Sequence, residues 1–189
     1  MEHTHYYRPT KAIIDLQAIR DNVQNLRHHL QKDVQIIAVV KANAYGHGDI
    51  EVARAALQAG ATIKAVATPD EAVHLRIHFP ETELLVLGAT PISFVQYASE
   101  HNITLTVFSS QWVEQAKMVQ GLSKRLLLHI KIDSGMGRIG VTAKEALLEL
   151  YETIQTTPNF VVDGIFTHFA TADEEDTQYF EHQVATFKE

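Results

Sequence analysis

The sequence predicts an α/β fold of parallel strands joined by helices, a partial (β/α)8 TIM barrel with about six of the eight units. Three observations carry this reading. Strand-like and helix-like patterns alternate about six times at roughly 20–35 residue intervals, as in parallel βαβ units with right-handed crossovers. Ile36 to Val40 reads I-I-A-V-V, a mostly β-branched run suited to a buried parallel strand. No G-x-G-x-x-G follows it, which weakens a dinucleotide-binding sheet and favours a barrel.

The elements follow in order. After a short arm, Ala12 to Asp15 is predicted as a brief strand. Ala18, Ile19, Val23, Leu26 and Leu30 recur at helical spacing. The strand Ile36 to Val40 comes next, then a helix from Asp49 through Val52, Ala53, Ala56 and Leu57, closed by Gly60. Lys64 to Ala67 is the second strand of this series. Thr68-Pro69-Asp70-Glu71 is a helix start, with a threonine cap, proline at the first position and a glutamate three residues on. Leu84 to Leu87 and Thr104 to Phe108 are strands, each followed by a helix, the first opened by Thr90-Pro91 and the second spanning about Ser110 to Gln120. Leu126 to Ile132 is a strong strand. Thr142 with Glu145 suggests a second capping box before Ala146 to Leu150. Val161 to Phe166 leads into Thr167-His168. The acidic run Asp173 to Asp176 reads as the first turn of a last helix, whose apolar stripe is Phe180, Val184 and Phe187.

A complete barrel takes about 250 residues, and this chain has 189. The last stripe runs to Glu189 with no cap or loop, so the expectation is one incomplete barrel domain over residues 1–189, a fragment of a longer parent. Its open sheet edges predict self-association.

Composition narrows the partners. With 46% hydrophobic residues the chain can bury a real core. A formal net charge of −7 and the lack of any basic run speak against nucleic acid. There are no cysteines, which excludes disulfides and thiolate metal sites and fits a reducing compartment. Met1 to Thr10 has no apolar core and does not read as a secretory signal. No apolar run approaches the ~18–20 residues needed to span a bilayer, so a cytoplasmic location is the expectation.

The chemistry centres on the end of the Ile36 to Val40 strand. Lys41 stands where α/β barrels place their reactive groups, followed by a small-residue loop with Tyr45, Gly46 and Gly48. In a dry pocket a lysine loses its proton more readily and becomes a nucleophilic amine suited to carbonyl chemistry. The alternative is a lysine that snorkels to solvent or pairs with a carboxylate. His74 and His78 have helical metal-ligand spacing but no evident third ligand, so a solvated pair is expected.

Three separated motifs carry a resemblance: V-V-K-A-N-A-Y-G-H-G from Val39 to Gly48, K-I-D-S-G-M-G-R-I-G from Lys131 to Gly140, and G-I-F-T-H-F-A-T-A-D from Gly164 to Asp173. Together they resemble the alanine racemases, fold-type III pyridoxal-phosphate enzymes, in family order over nearly the whole chain. The resemblance implies pyridoxal 5'-phosphate as cofactor and alanine as substrate, interconverted between L and D forms. It also implies a role in D-alanine supply for peptidoglycan.

By the same resemblance, Lys41 carries the Schiff-base linkage and acts as one acid/base group. Tyr45 and Leu87 neighbour the cofactor; on residue type alone Tyr45 could instead be an aromatic packed in the barrel mouth, and core packing is the better reading of Leu87. Arg138 would aim its planar fork at a substrate carboxylate or a cofactor oxygen, or pair with a surface carboxylate. Lys131 matches a lysine that is carbamylated in many members, with Asp133 a further carboxylate for the cluster. His168 lies by the cofactor ring in the family; a satisfied core histidine is the other reading. The family's second acid/base group is a tyrosine of a carboxyl-terminal β-domain, contributed across a homodimer interface. Neither that domain nor the late phosphate-gripping loops occur in this sequence, so the chain alone is expected to be inactive. A related barrel without the second domain, a non-catalytic pyridoxal-phosphate-binding homeostasis protein, is the alternative.

Overall fold

The computed structural model describes residues 9–122 and 124–189; the expected arm at residues 1–8 lies outside the described residues. Among the described residues six parallel strands form one open sheet in sequential order. They are β1 (Ile37–Val39), β2 (Ile63–Val66), β3 (Glu83–Val86), β4 (Ile103–Val107), β5 (Leu126–Lys131) and β6 (Phe160–Phe166). The helices are α1 (Leu16–His29), α2 (Lys41–Tyr45), α3 (Asp49–Gln58), α4 (Pro69–His78), α5 (Val95–Glu100), α6 (Ser110–Ala116), α7 (Lys144–Gln155) and α8 (Gln178–Lys188). This is the partial barrel the alternation predicts.

The core lies between the sheet and its helices. Val66, Val86, Leu105 and Leu128 stand in register on neighbouring strands, and all four are fully buried. Ala72 and Leu75 of α4, Ala98 of α5 and Leu150 of α7 close over the same layer. Because side chains alternate along a strand, the other face receives Thr106, His129 and Lys131, a far more polar set. The two rims also differ. At the amino-terminal ends of the strands, Arg76 donates to the carbonyls of Phe79, Pro80, Thr82 and Asn102, fastening loops together. At the carboxyl-terminal ends, the loops carry Lys41, Arg138 and His168.

Several expected details change. Ala12 to Asp15 form no strand; the Asp15 carboxylate instead accepts from the backbone N–H groups of Gln17 and Ala18, so this segment starts α1. Strand β1 is not buried on both faces, since among the described residues it pairs only with β2 and leaves Ile37 and Val39 exposed. The Thr68–Glu71 capping box forms as expected. The second one does not: Ala143 holds the cap position of α7 and no side chain caps it. The acidic run Asp173 to Asp176 lies in a turn ahead of α8, because the helix begins only at Gln178. No helix among the described residues is long and apolar enough to cross a membrane.

Candidate active site

Lys41 follows the last ladder bond of the first strand, from the N–H of Val40 to the carbonyl of Ala65 at 2.9 Å. The chain then makes an unusual turn. Ala42, Asn43, Ala44 and Tyr45 all have positive φ, between 51° and 56°, so α2 winds left-handed. For L-residues this costs roughly 1–2 kcal/mol each, and it persists only where surrounding structure enforces it. Here the N–H of Ala44 returns to the carbonyl of Val40 at 2.9 Å, and the N–H groups of Gly46 and Gly48 both reach the carbonyl of Asn43. The Asn43 side chain accepts from the N–H of Asp49 at 3.0 Å. Across the rim, the Glu71 carboxylate accepts from the N–H of Ala42 at 2.7 Å. The turn brings the Tyr45 ring back toward its own strand end, its centroid 5.8 Å from Lys41 Nζ.

The second segment runs from β5. Lys131 is 3% exposed; its Nζ donates to the carbonyl of Ile132 and faces the Phe166 ring. Burial pushes its pKa down, Arg138 adds to that, and Asp133 opposes. Asp133 organises the loop that follows, accepting from the N–H groups of Gly135, Gly137 and Arg138, each at 3.0 Å. Burial raises the Asp133 pKa, but these three amides and Lys131 outweigh it and hold the carboxyl below its usual value. Gly140 closes the loop at φ 138°, and a Cβ there would stand 2.4 Å from the backbone nitrogen of Asp133. Only glycine fits.

The third segment leaves β6. Thr167 donates to the carbonyl of Ile132 at 2.9 Å and its hydroxyl bonds that of Ser134 at 2.7 Å. Gln183 of α8, fully buried, donates to the carbonyl of His168 at 3.2 Å and accepts from the N–H of Ala170 at 2.8 Å. Tyr179 donates to the carbonyl of Gly135 at 2.6 Å. Helix α8 thus ties the Asp133 loop and the His168 loop together. Partial desolvation, then the fields of Arg138, Lys131 and Lys41, lower the pKa of His168.

Three sequence-distant motifs therefore bring Lys41, Lys131, Arg138 and His168 within electrostatic reach of one another. The carboxylate among them, Asp133, is already engaged by backbone amides. Such a cluster of basic groups suits an anionic ligand. Leu87, half-buried at the end of β3, and Tyr45 stand on the same rim.

Some expectations need correction. The surroundings of Lys41 are open: the residue is half-buried and Tyr45 is exposed. A cavity of about 260 Å³ lies farther round this rim, lined by Thr90, Thr106, Phe108 and Trp112. His168 is exposed, which removes the reading of a satisfied core histidine. His74 pairs with Asp49 at 3.5 Å and meets His78 edge-on. Glu71 and Gln183 escaped the sequence reading as site residues. Glu71 showed only its capping role, and a lone glutamine in a helix carries no signal.

Comparison with known proteins adds an independent line. Residues 14–189 match the family model described as alanine racemase, N-terminal domain. The alanine racemase of Geobacillus kaustophilus is 50% identical over 182 residues, covering 96% of this chain and 47% of that protein. The crystal structure of alanine racemase from Bacillus anthracis with bound L-Ala-P superposes with TM-score 0.92 at 43% identity, covering 98% of this chain and 48% of that one. A histidine racemase from Leuconostoc mesenteroides subsp. sake superposes with TM-score 0.86 at 30% identity, covering 92% and 46%. The chain spans about half the length of the curated relatives it matches.

Proposed function

This chain belongs to the family of alanine racemase N-terminal domains, and on that premise we propose that its protein interconverts L- and D-alanine using pyridoxal 5'-phosphate. The observation that carries the reading is the convergence of Lys41, Lys131, Arg138 and His168 on one rim. An amine beside three further basic groups fits a cofactor that is an aldehyde carrying a phosphate and a phenolate oxygen. Bound there, pyridoxal phosphate supplies an electron-withdrawing ring that acidifies the α-hydrogen of an amino acid.

The chain's own residues divide the work. Lys41 would hold the cofactor through Nζ and would carry the α-proton on one face of the substrate, as proximity to the reacting carbon favours. Arg138 orients a carboxylate or the cofactor oxygen with its fork of donors. His168 stays neutral near pH 7, because desolvation and the neighbouring cations disfavour its charged form. Tyr45 and Leu87 would flank the cofactor from the same rim. The lowered pKa of Lys131 raises the fraction of free amine, the form that carbamylation requires. Carbamylation would turn this cation into an anion able to orient Arg138. A tyrosine from a carboxyl-terminal β-domain of a partner subunit serves as the opposite acid/base group, in a homodimer. The setting is the cytoplasm, where D-alanine is made for the cell wall. The 50% identity to the alanine racemase of Geobacillus kaustophilus and the 43% identity to that of Bacillus anthracis support alanine as substrate.

The test uses the full-length protein. Borohydride reduction with pyridoxal phosphate is expected to label Lys41, and the protein to racemise alanine faster than histidine. A label elsewhere, or a Lys41→Ala protein that still racemises alanine, would overturn the reading.

A further inference from the structure

We infer that Glu71 is a positioning residue that holds Lys41 in line, a role that rests on the proposed function for its catalytic consequence. Both carboxylate oxygens are used. Oε1 accepts from the N–H of Ala42 at 2.7 Å, and Oε2 accepts from the N–H groups of Ala67 at 2.7 Å and Thr68 at 3.2 Å. A capping-box glutamate needs only the bond to Thr68. The two extra bonds tie the first residue after Lys41 to the end of β2 and the start of α4. Ala42 is also where the left-handed turn begins, so the carboxylate grips the chain at the first residue with positive φ.

No other side chain in the described residues reaches the backbone of Lys41 or Ala42, so the contact is not duplicated. If the Ala42 bond breaks, the turn can relax toward ordinary right-handed backbone. Lys41 would then leave the strand end at a different angle. Small displacements of a reacting group cost up to about 100-fold in rate, whereas substrate contacts elsewhere on the rim would stay as they are. The effect therefore falls on kcat far more than on KM.

The experiment compares Glu71→Ala, Glu71→Gln and Thr68→Ala in the full-length protein. Thr68→Ala removes the other half of the same capping box, where Thr68 accepts from the N–H of Glu71, and leaves the Ala42 contact intact. Hydrogen exchange of the cofactor-free protein is read at residues 42–46. Glu71→Ala is expected to speed that exchange at least about tenfold and Thr68→Ala to leave it unchanged. Glu71→Ala is also expected to lower kcat with little change in KM. Glu71→Gln, which keeps one acceptor oxygen, is expected to fall between wild type and Glu71→Ala, and it decides the matter if the alanine variant does not fold. Equal effects of Thr68→Ala and Glu71→Ala would overturn the inference, as would unchanged exchange in both Glu71 variants. Lack of racemisation by the unaltered protein would defeat the proposed activity alone, because the exchange measurement needs neither cofactor nor substrate.

Discussion

Lys64 shows how a charge is carried in the helix-facing layer. It is fully buried, its Nζ 4.9 Å from the Phe79 ring centroid, and its strongest polar partner is the carbonyl of Glu83 at 3.5 Å. Burial, with Arg76 nearby, lowers its pKa from 10.5 to about 8. Above pH 8 the folded chain has released this proton while the unfolded chain holds it up to about 10.5. Stability therefore rises with pH across that window, by up to about 3 kcal/mol from this residue. Lys64→Met is expected to flatten that rise in urea titrations at pH 8 to 10, and an unchanged slope would show that another group causes it. Gly140 makes a second case. Its positive φ and the missing space for a Cβ mean that Gly140→Ala distorts the Asp133 loop. Weaker cofactor binding in the full-length protein, read from the visible absorbance on titration, is the expected result. Of these residues the sequence displayed the glycine within its motif. It could not display Lys64, because a lysine in a strand pattern does not announce which face it occupies.

At the scale of elements, the agreement between pattern and structure follows burial. Strands β2 to β5 sit between neighbours, and their apolar runs were read to within about one residue. Leu105 of β4 and Leu128 of β5 are in register and fully buried. Leu128→Ala is expected to cost about 2–5 kcal/mol in chemical denaturation, the range for large-to-small core changes. Leu148→Ala, on the exposed face of α7, is expected to cost under about 0.5 kcal/mol. Equal losses at the two sites would contradict the placement of the core. The segments misread were those where a backbone competitor decides: Asp15 starts a helix in place of the expected strand, and the acidic run sits in a turn ahead of α8. The left-handed α2 was illegible for the same reason. Nothing in Ala-Asn-Ala-Tyr favours positive φ strongly enough to reveal it, and bonds to Val40, Ala42, Asn43, Ala44 and Glu71 sustain it.

For the whole molecule the sheet itself is the issue. Among the described residues β1 and β6 each pair on one side only, and Ile37, Val39 and Ile165 are exposed on them. Unpaired edges bearing apolar side chains attract further strands. The 189-residue chain by itself is expected to self-associate and to bind an apolar dye. Sedimentation at a monomer mass with little dye binding would argue that the edges are protected. The same openness explains why Lys41 lacks the dry surroundings a barrel mouth would give it: its strand stands at the edge of the sheet.

What the sequence determined by itself was the alternation of elements, the row of buried strands and the three motifs that supply the basic residues. Those are local properties, written in periodicity and residue type over short windows. Only the tertiary structure decided that the three motifs share one rim, that Asp133 serves its own loop and that Glu71 and Gln183 fasten the loops carrying Lys41 and His168. Each of those depends on contacts between residues far apart in the chain, such as Glu71 and Ala42 at 2.7 Å, and no local pattern encodes the partner of a side chain.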